Sequence, residues 1–236
     1  MAILRTSDER IYNPKAKGLT DLVVDVVDPQ LTKQLNEQMI FGIVNEVSFR
    51  FYWTAKPERI AIEIAGLPEG FREIKEELKA RAIGNFESIV PIPIEAKFKD
   101  YQLRSGTGAQ RTIVATDKTG LAPIPEFVFN VDPESRISQI VAKKAIGTQV
   151  TTLEWKKSPW SEPRSHAQRS ISIAVDGPQS TEVTTETSWQ VVAGIGLPAS
   201  VKTSTRQTLK APGQPKPVER KVEEYIYFKN YKVNQG

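Results

Sequence analysis

The strongest constraint on the fold is a pair of strand-forming segments near the C-terminus. Residues 180–190 and 200–210 each span 11 residues, are dominated by Ser and Thr, and flank an uncharged centre. Thr and Val at this density favour β-strands, and successive residues of a strand point to opposite faces of a sheet. The pattern predicts a long β-hairpin whose turn is centred on Gly194.

Folding the two segments back on each other produces two faces of different chemistry. On one face the pairing places Glu186 opposite Lys202 and Glu182 opposite Arg206, so opposite charges meet across the strands. The other face is uncharged and consists of Val183, Thr185, Thr187, Trp189, Val201, Thr203, Thr205 and Leu209. The uncharged centre begins at Val191 and contains a predicted tip of Gly194, Ile195, Gly196 and Leu197.

Two interpretations fit this hairpin. A strand of about 9 to 11 residues can cross a bilayer with its uncharged face toward lipid, and an apolar tip could lead the insertion. Alternatively, the hairpin is a solvated part of an elongated sheet, with its Val, Thr and Trp face packed on a neighbour and its charged face in water. The pattern itself leaves both interpretations open.

The rest of the chain predicts a mainly β (α+β) fold of elongated antiparallel sheets or a β-sandwich. One amphipathic helix is expected at about residues 69–83, because apolar residues recur there at three- and four-residue spacing up to Gly84. We predict an N-terminal α+β domain, a candidate for target binding, over residues 1–131, and an all-β domain over residues 132–236. The last strand, residues 218–233, is expected to anchor in a core through Tyr225, Ile226, Tyr227 and Phe228.

Composition removes several kinds of chemistry. The chain has no Cys, which excludes disulfides, thiolate metal sites and cysteine nucleophiles. Its one histidine, His166, follows Pro163-Arg-Ser and is predicted to lie on the surface of a loop. The stretch Ser105-Gly-Thr-Gly-Ala is expected to be a hairpin turn, because no helix follows it to complete a phosphate site. We therefore expect no enzyme, catalytic residue, metal or cofactor, while a site built on scattered carboxylates is kept as a third hypothesis.

Charge and hydropathy bear on partners and location. The net charge of +4 comes from 32 basic and 28 acidic residues without a basic stripe, which argues against nucleic acid as a partner. The first ten residues lack the apolar core of a signal peptide, and no stretch approaches the ~20 apolar residues of a membrane helix. These features predict a chain that is soluble at first.

The C-terminal strands resemble a known family. Ile146-Gly-Thr-Gln-Val-Thr-Thr, Ser188-Trp189 and Val201-Lys-Thr-Ser-Thr are similar to the pore-forming module of aerolysin-like β-pore-forming proteins, in the epsilon-toxin and mosquitocidal-toxin branch. The resemblance covers about residues 137–210. It implies a protein that is secreted or released from the producing cell in soluble form. Such a protein binds a target membrane or surface receptor through its other half, forms a homo-oligomer, and converts a hairpin, here residues 180–210, into a transmembrane barrel.

A second hypothesis needs no lipid-compatible face. A structural or assembly subunit, such as a virion, tail or filament protein, would use the same hairpin to contact a neighbouring subunit. The N-terminal half, with its predicted helix, does not match a receptor-binding domain and departs in this respect from the pore-forming family.

Overall fold

β-Strands dominate the secondary structure, as the sequence predicts. The computed structural model describes residues 2–38, 44–106, 111–210 and 216–235. Within these residues the strands are β1 (Asp21–Val27), β2 (Ser48–Ala55), β3 (Glu58–Ala65), β4 (Tyr101–Ser105), β5 (Arg111–Asp117), β6 (Glu126–Val131), β7 (Ile137–Lys143), β8 (Thr148–Lys157), β9 (Ser165–Asp176), β10 (Gln179–Val192), β11 (Ile195–Leu209) and β12 (Val218–Val233). They form one antiparallel sheet of 12 strands in the order β3-β2-β1-β12-β11-β10-β9-β8-β7-β6-β5-β4. The predicted mainly β class is confirmed.

The helices of the described residues are α1 (Ala2–Arg10), α2 (Pro29–Gln38), α3 (Arg72–Phe86) and α4 (Ile94–Lys97). The predicted helix corresponds to α3, but the prediction that it ends at Gly84 is wrong. Phe86 lies one turn beyond Ala82, the last residue of the predicted apolar stripe, and stacks on Phe51 at a ring-centroid distance of 5.7 Å. Because this contact extends the apolar stripe by one turn, the helix continues past the glycine. The other three helices show no equally clear pattern in the sequence.

Backbone contacts divide the chain into two compact units, and each unit consists of three segments. The first unit contains Met1–Tyr12, Ile92–Glu186 and Thr203–Glu223, and the second contains Asn13–Pro91, Thr187–Lys202 and Glu224–Gly236. The sequence-based division instead cuts the chain once, near residue 131. The difference arises because β10, β11 and β12 are long strands, and each of them contributes residues to both units.

The core of the first unit lies on one face of β5 to β8. Ile113, Ala115, Phe129 and Ile137 are buried there, and Leu4 of α1 covers them with no exposed surface. Helix α4 is held against α1 by Asp8, whose carboxylate accepts the backbone N–H groups of Ile94 at 2.9 Å and Glu95 at 3.1 Å. Helices α1 and α4 therefore cover this face of the sheet.

The core of the second unit is formed between strands β1 to β3 and helices α2 and α3. Alternate β2 residues, Phe49, Phe51 and Trp53, are buried and contact the apolar side of α3, including Leu78. Strand β12 contributes Phe228, whereas Tyr225 and Tyr227 are each 37% exposed. The prediction that all four residues from 225 to 228 anchor in a core is thus wrong for the two tyrosines, because the strand alternation turns them to the opposite face.

Candidate functional site

The turn between β10 and β11 is built by two residues with positive φ. Ala193 has φ 50° and Gly194 has φ 79°. Two-residue hairpin turns with both central φ values positive match the right-handed twist of the flanking strands, and glycine adopts this region without a steric cost. Gly194 therefore lies at the predicted turn, and the strands leave it in antiparallel directions.

Side-chain contacts define which residues of the hairpin lie opposite each other. Near the turn, the hydroxyl oxygens of Ser188 and Ser200 are 2.7 Å apart. Further from the turn, Arg206 Nη2 donates to Glu182 Oε2 at 3.0 Å. These contacts place the even-numbered residues of both strands on one face, which is the charged face of the predicted pairing.

Glu186 and Lys202 find partners on other strands. The guanidinium of Arg169 on β9 lies 3.4 Å from a carboxylate oxygen of Glu186 and 3.4 Å from one of Glu154 on β8. The Lys202 ammonium lies 5.6 Å from the ring centroid of Tyr225 on β12. The charged face is therefore a network that extends over the neighbouring strands of the sheet.

The opposite face of the hairpin carries no charge and is only partly covered. Seven of its predicted members are of intermediate exposure: Val183, Thr185, Thr187, Trp189, Val201, Thr203 and Thr205. Within the described residues, Val201 packs against the core of the second unit, whereas Val183 and Trp189 belong to neither hydrophobic cluster.

On β8 and β9, next to the hairpin, hydroxyl and amide groups on the same side of the sheet are hydrogen-bonded from strand to strand. Ser172 on β9 lies directly opposite Val183 on β10 and opposite Thr151 on β8. Its hydroxyl oxygen accepts from Gln149 Nε2 at 2.8 Å and from Thr151 Oγ1 at 3.1 Å. Since polar groups with such partners lose less when they leave water, these bonds lower the cost of covering this side of β8 and β9 with an apolar surface.

The apolar residues after the turn are buried in the second unit. Ile195 is 3% exposed and Leu197 is fully buried, and both belong to the hydrophobic core formed with β2 and α3. Gly196 is buried beside them, whereas Gly194 is exposed and Val191 is 55% exposed. In this conformation the predicted tip is a structural anchor and is not presented to a membrane.

His166 is buried, so the prediction of a surface histidine is wrong. Its ring is 5% exposed, stacks on Trp160 at a centroid distance of 4.9 Å, and has Nδ1 2.9 Å from the hydroxyl of Ser158. Burial lowers the pKa of His166, and the nearby Lys156 lowers it further. The segment between β8 and β9 folds back over the imidazole, which local sequence does not reveal.

This histidine cluster also holds the N-terminal segment. The Tyr12 backbone N–H donates to the Ser165 carbonyl oxygen at 2.7 Å, and the Tyr12 ring packs edge-on against Trp160 at 5.6 Å. A serine–histidine hydrogen bond is one element of nucleophilic catalysis, but Ser158 is fully buried. The arrangement is therefore suited to fixing the N-terminal segment on the first unit.

The carboxyl group of Asp8 tests the hypothesis of a carboxylate-based site. Burial raises its pKa, whereas hydrogen bonds from the backbone of Ile94 and Glu95 oppose that shift. Both carboxylate oxygens are thus engaged at the start of α4. The raised pKa of Asp8 is therefore explained by the role of its carboxyl group in holding α4.

The predicted hairpin turn at Ser105-Gly-Thr-Gly-Ala includes residues 107–110, which lie outside the described residues. Among the helices that are described, none has the length and apolar character needed to cross a membrane.

No family model, no curated protein and no solved structure matches this chain.

Proposed function

We propose that this chain is a non-enzymatic, membrane-active protein of the β-pore-forming kind, which binds a target membrane or surface receptor, forms a homo-oligomer and inserts the hairpin of residues 180–210. One observation carries the proposal: the uncharged face of the hairpin is half-exposed, and its Val183 and Trp189 lie outside both hydrophobic cores. A protein secreted or released in soluble form would expose this face until it reached the membrane.

The length of the strands supports insertion. β10 has 14 residues and β11 has 15, which exceeds the ~9 to 11 residues needed to cross the hydrocarbon core. In lipid every backbone polar group needs a partner, and strands of neighbouring subunits supply it when the hairpins pair side by side. The charged face, with Glu182 and Arg206, would then line the aqueous side.

Insertion requires the tip to leave the second unit and the hairpin to separate from β9 and β12, its neighbours in the sheet. Exposing a buried Ile or Leu side chain costs about 1.5 to 3 kcal/mol, so release of Ile195 and Leu197 costs on the order of 3 to 6 kcal/mol. Burial of the same side chains and of the Val and Thr face in lipid, together with subunit pairing, offsets this cost. Burial of the tip therefore holds the hairpin in place and keeps the soluble form inactive.

The test labels residues on both faces of β10 with an environment-sensitive fluorophore. Because the chain has no Cys, single variants V183C and T185C place the dye on the uncharged face and T184C places it on the charged face. Val191 and Thr184 are better label sites than Ile195, which is needed in the core. Emission and dye leakage are followed on phosphatidylcholine vesicles, with and without phosphatidylserine, and on target-cell membranes.

Insertion predicts a blue shift at positions 183 and 185, quenching there by nitroxides on the lipid chains, and a much smaller response at position 184. These changes should accompany leakage and a large oligomer. If no position shifts and no membrane leaks across these compositions, the proposal is overturned.

The burial of Ile195 and Leu197 favours a second candidate, a structural or assembly subunit. In that case the tip stays in the core permanently and the exposed strands contact a neighbouring subunit. Such a protein would form ordered assemblies without lipid and would leave vesicles intact, so the same leakage measurement separates the two candidates.

A further inference from the structure

The two end strands of the sheet differ in how they are protected. Within the described residues, β3 and β4 each pair with one strand only. An unpaired strand edge offers backbone N–H and C=O groups to another chain, and proteins usually blunt it with short strands, bulges, Pro or charged side chains, especially Lys. β4 has five residues, whereas β3 has eight residues, contains no Pro, pairs with β2 without a bulge, and carries charges of both signs.

The side chains of β3 are divided cleanly between its two faces. Ile60, Ile62 and Ile64 lie opposite Trp53, Phe51 and Phe49 of β2, on the face that forms the core. Ile60 nevertheless remains 38% exposed at the edge. On the other face, Arg59 and Glu63 are exposed and flank Ala61.

This order of residues is self-complementary in an antiparallel arrangement. If a second β3 pairs with the first so that Ala61 lies opposite Ala61 of the second copy, Arg59 lies opposite Glu63 of that copy, and the same pair forms again by symmetry. Ile60 then lies opposite Ile62 of the second copy on the core face. Shifting the strands by two residues in either direction keeps the faces but loses both charge pairs.

From this geometry we propose that β3 is a dimerisation edge, through which two copies of the chain pair antiparallel about Ala61 with two-fold symmetry. The contact joins backbone groups that β2 leaves unpaired, and it covers the exposed edge of Ile60. A two-fold contact of this kind closes on itself and does not propagate. It belongs to the soluble protein and does not depend on the proposed membrane function.

The interface is small, since about seven residues of each strand face each other. Specific stable interfaces bury about 1,200 to 2,000 Å², and weaker ones lie below that range. We therefore expect a dissociation constant on the order of 1 to 100 µM, weakening with salt because the charge pairs are exposed.

The first test compares full-length variants by sedimentation velocity from about 1 to 300 µM. Variant R59E places like charges opposite each other twice and should weaken the dimer about 10- to 100-fold. The double variant R59E/E63R exchanges the two charges and should restore it. R220E changes the net charge by the same amount on β12 and should leave the dimer unchanged.

The second test probes the register directly. Because the chain has no Cys, variant A61C should form a disulfide-linked dimer under mild oxidation, whereas A80C on the exposed surface of α3 should not. A wild-type chain that stays monomeric to about 300 µM, a dimer that R59E leaves unchanged, or equal cross-linking of the two Cys variants would each overturn the proposal. Membrane leakage is not measured in either test, so the outcome is independent of the proposed function.

Discussion

Strands β5 to β8 and the β10–β11 hairpin belong to the same sheet, and in both of them successive side chains point to opposite faces, yet these faces have different surroundings. In β5 to β8 one face is closed by α1 and α4, and Phe129 and Ile137 are fully buried. In the first-unit part of the hairpin the corresponding Val and Thr residues remain half-exposed. Alternation thus decides which residues share a face, and only a covering element turns that face into a core.

The largest expected effect separates the two regions by stability. Phe129→Ala removes a large buried side chain and should lower the free energy of unfolding by about 3 to 5 kcal/mol, whereas Val183→Ala should cost below about 1 kcal/mol. Urea unfolding at equilibrium measures both. Similar losses for the two variants would mean that the uncharged face of the hairpin is packed as tightly as a core.

A somewhat smaller effect is expected at the tip of the same hairpin. Leu197→Ala should destabilise the protein by about 2 to 4 kcal/mol, because Leu197 is fully buried. If burial of the tip restrains the hairpin, this variant should also release vesicle contents faster than the wild type. Leu209→Ala, at a position that is 45% exposed, is the matched control for both measurements. Slower leakage with L197A would contradict the idea that burial of the tip restrains insertion.

Acid should weaken the covered region through His166. Its folded-state pKa lies below the ordinary value of 6.5, so the neutral form is favoured by folding. The stability it contributes is therefore complete above pH ~6.5 and is lost as the pH falls from there through the folded-state pKa. Urea midpoints at neutral and acidic pH should differ less in H166Q than in the wild type. An unchanged pH dependence in H166Q would assign the effect to carboxyl groups.

The smallest effect is expected on the charged face. Arg206→Gln breaks the ion pair with Glu182, whose side chains are 51% and 35% exposed respectively. Exposed pairs contribute about 0.2 to 1 kcal/mol, so the loss of stability should fall in that range and shrink at high salt. A loss of stability well above that range would show that β10 and β11 depend on this ion pair. Strands β5 to β8, in contrast, are held by their apolar core.

Local patterns predict several elements because their causes are local. The turn at Gly194 follows from glycine's access to positive φ, and helix α3 follows from the spacing of Ile74, Leu78 and Ala82. The two-residue period predicts which side chains share a face. The burial of His166 and of the tip depends on segments far away in sequence, and no local pattern contains them.

The amino-acid sequence by itself determined the β-rich class, the long Ser/Thr hairpin with a charged and an uncharged face, and the absence of thiol chemistry, because these depend on residue type and on strand alternation. The tertiary structure decided which faces are covered. It placed α1 and α4 over β5 to β8, and it placed Ile195 and Leu197 inside the second unit. The physical reason is that burial is a property of the partners that a side chain meets, and those partners come from distant parts of the chain.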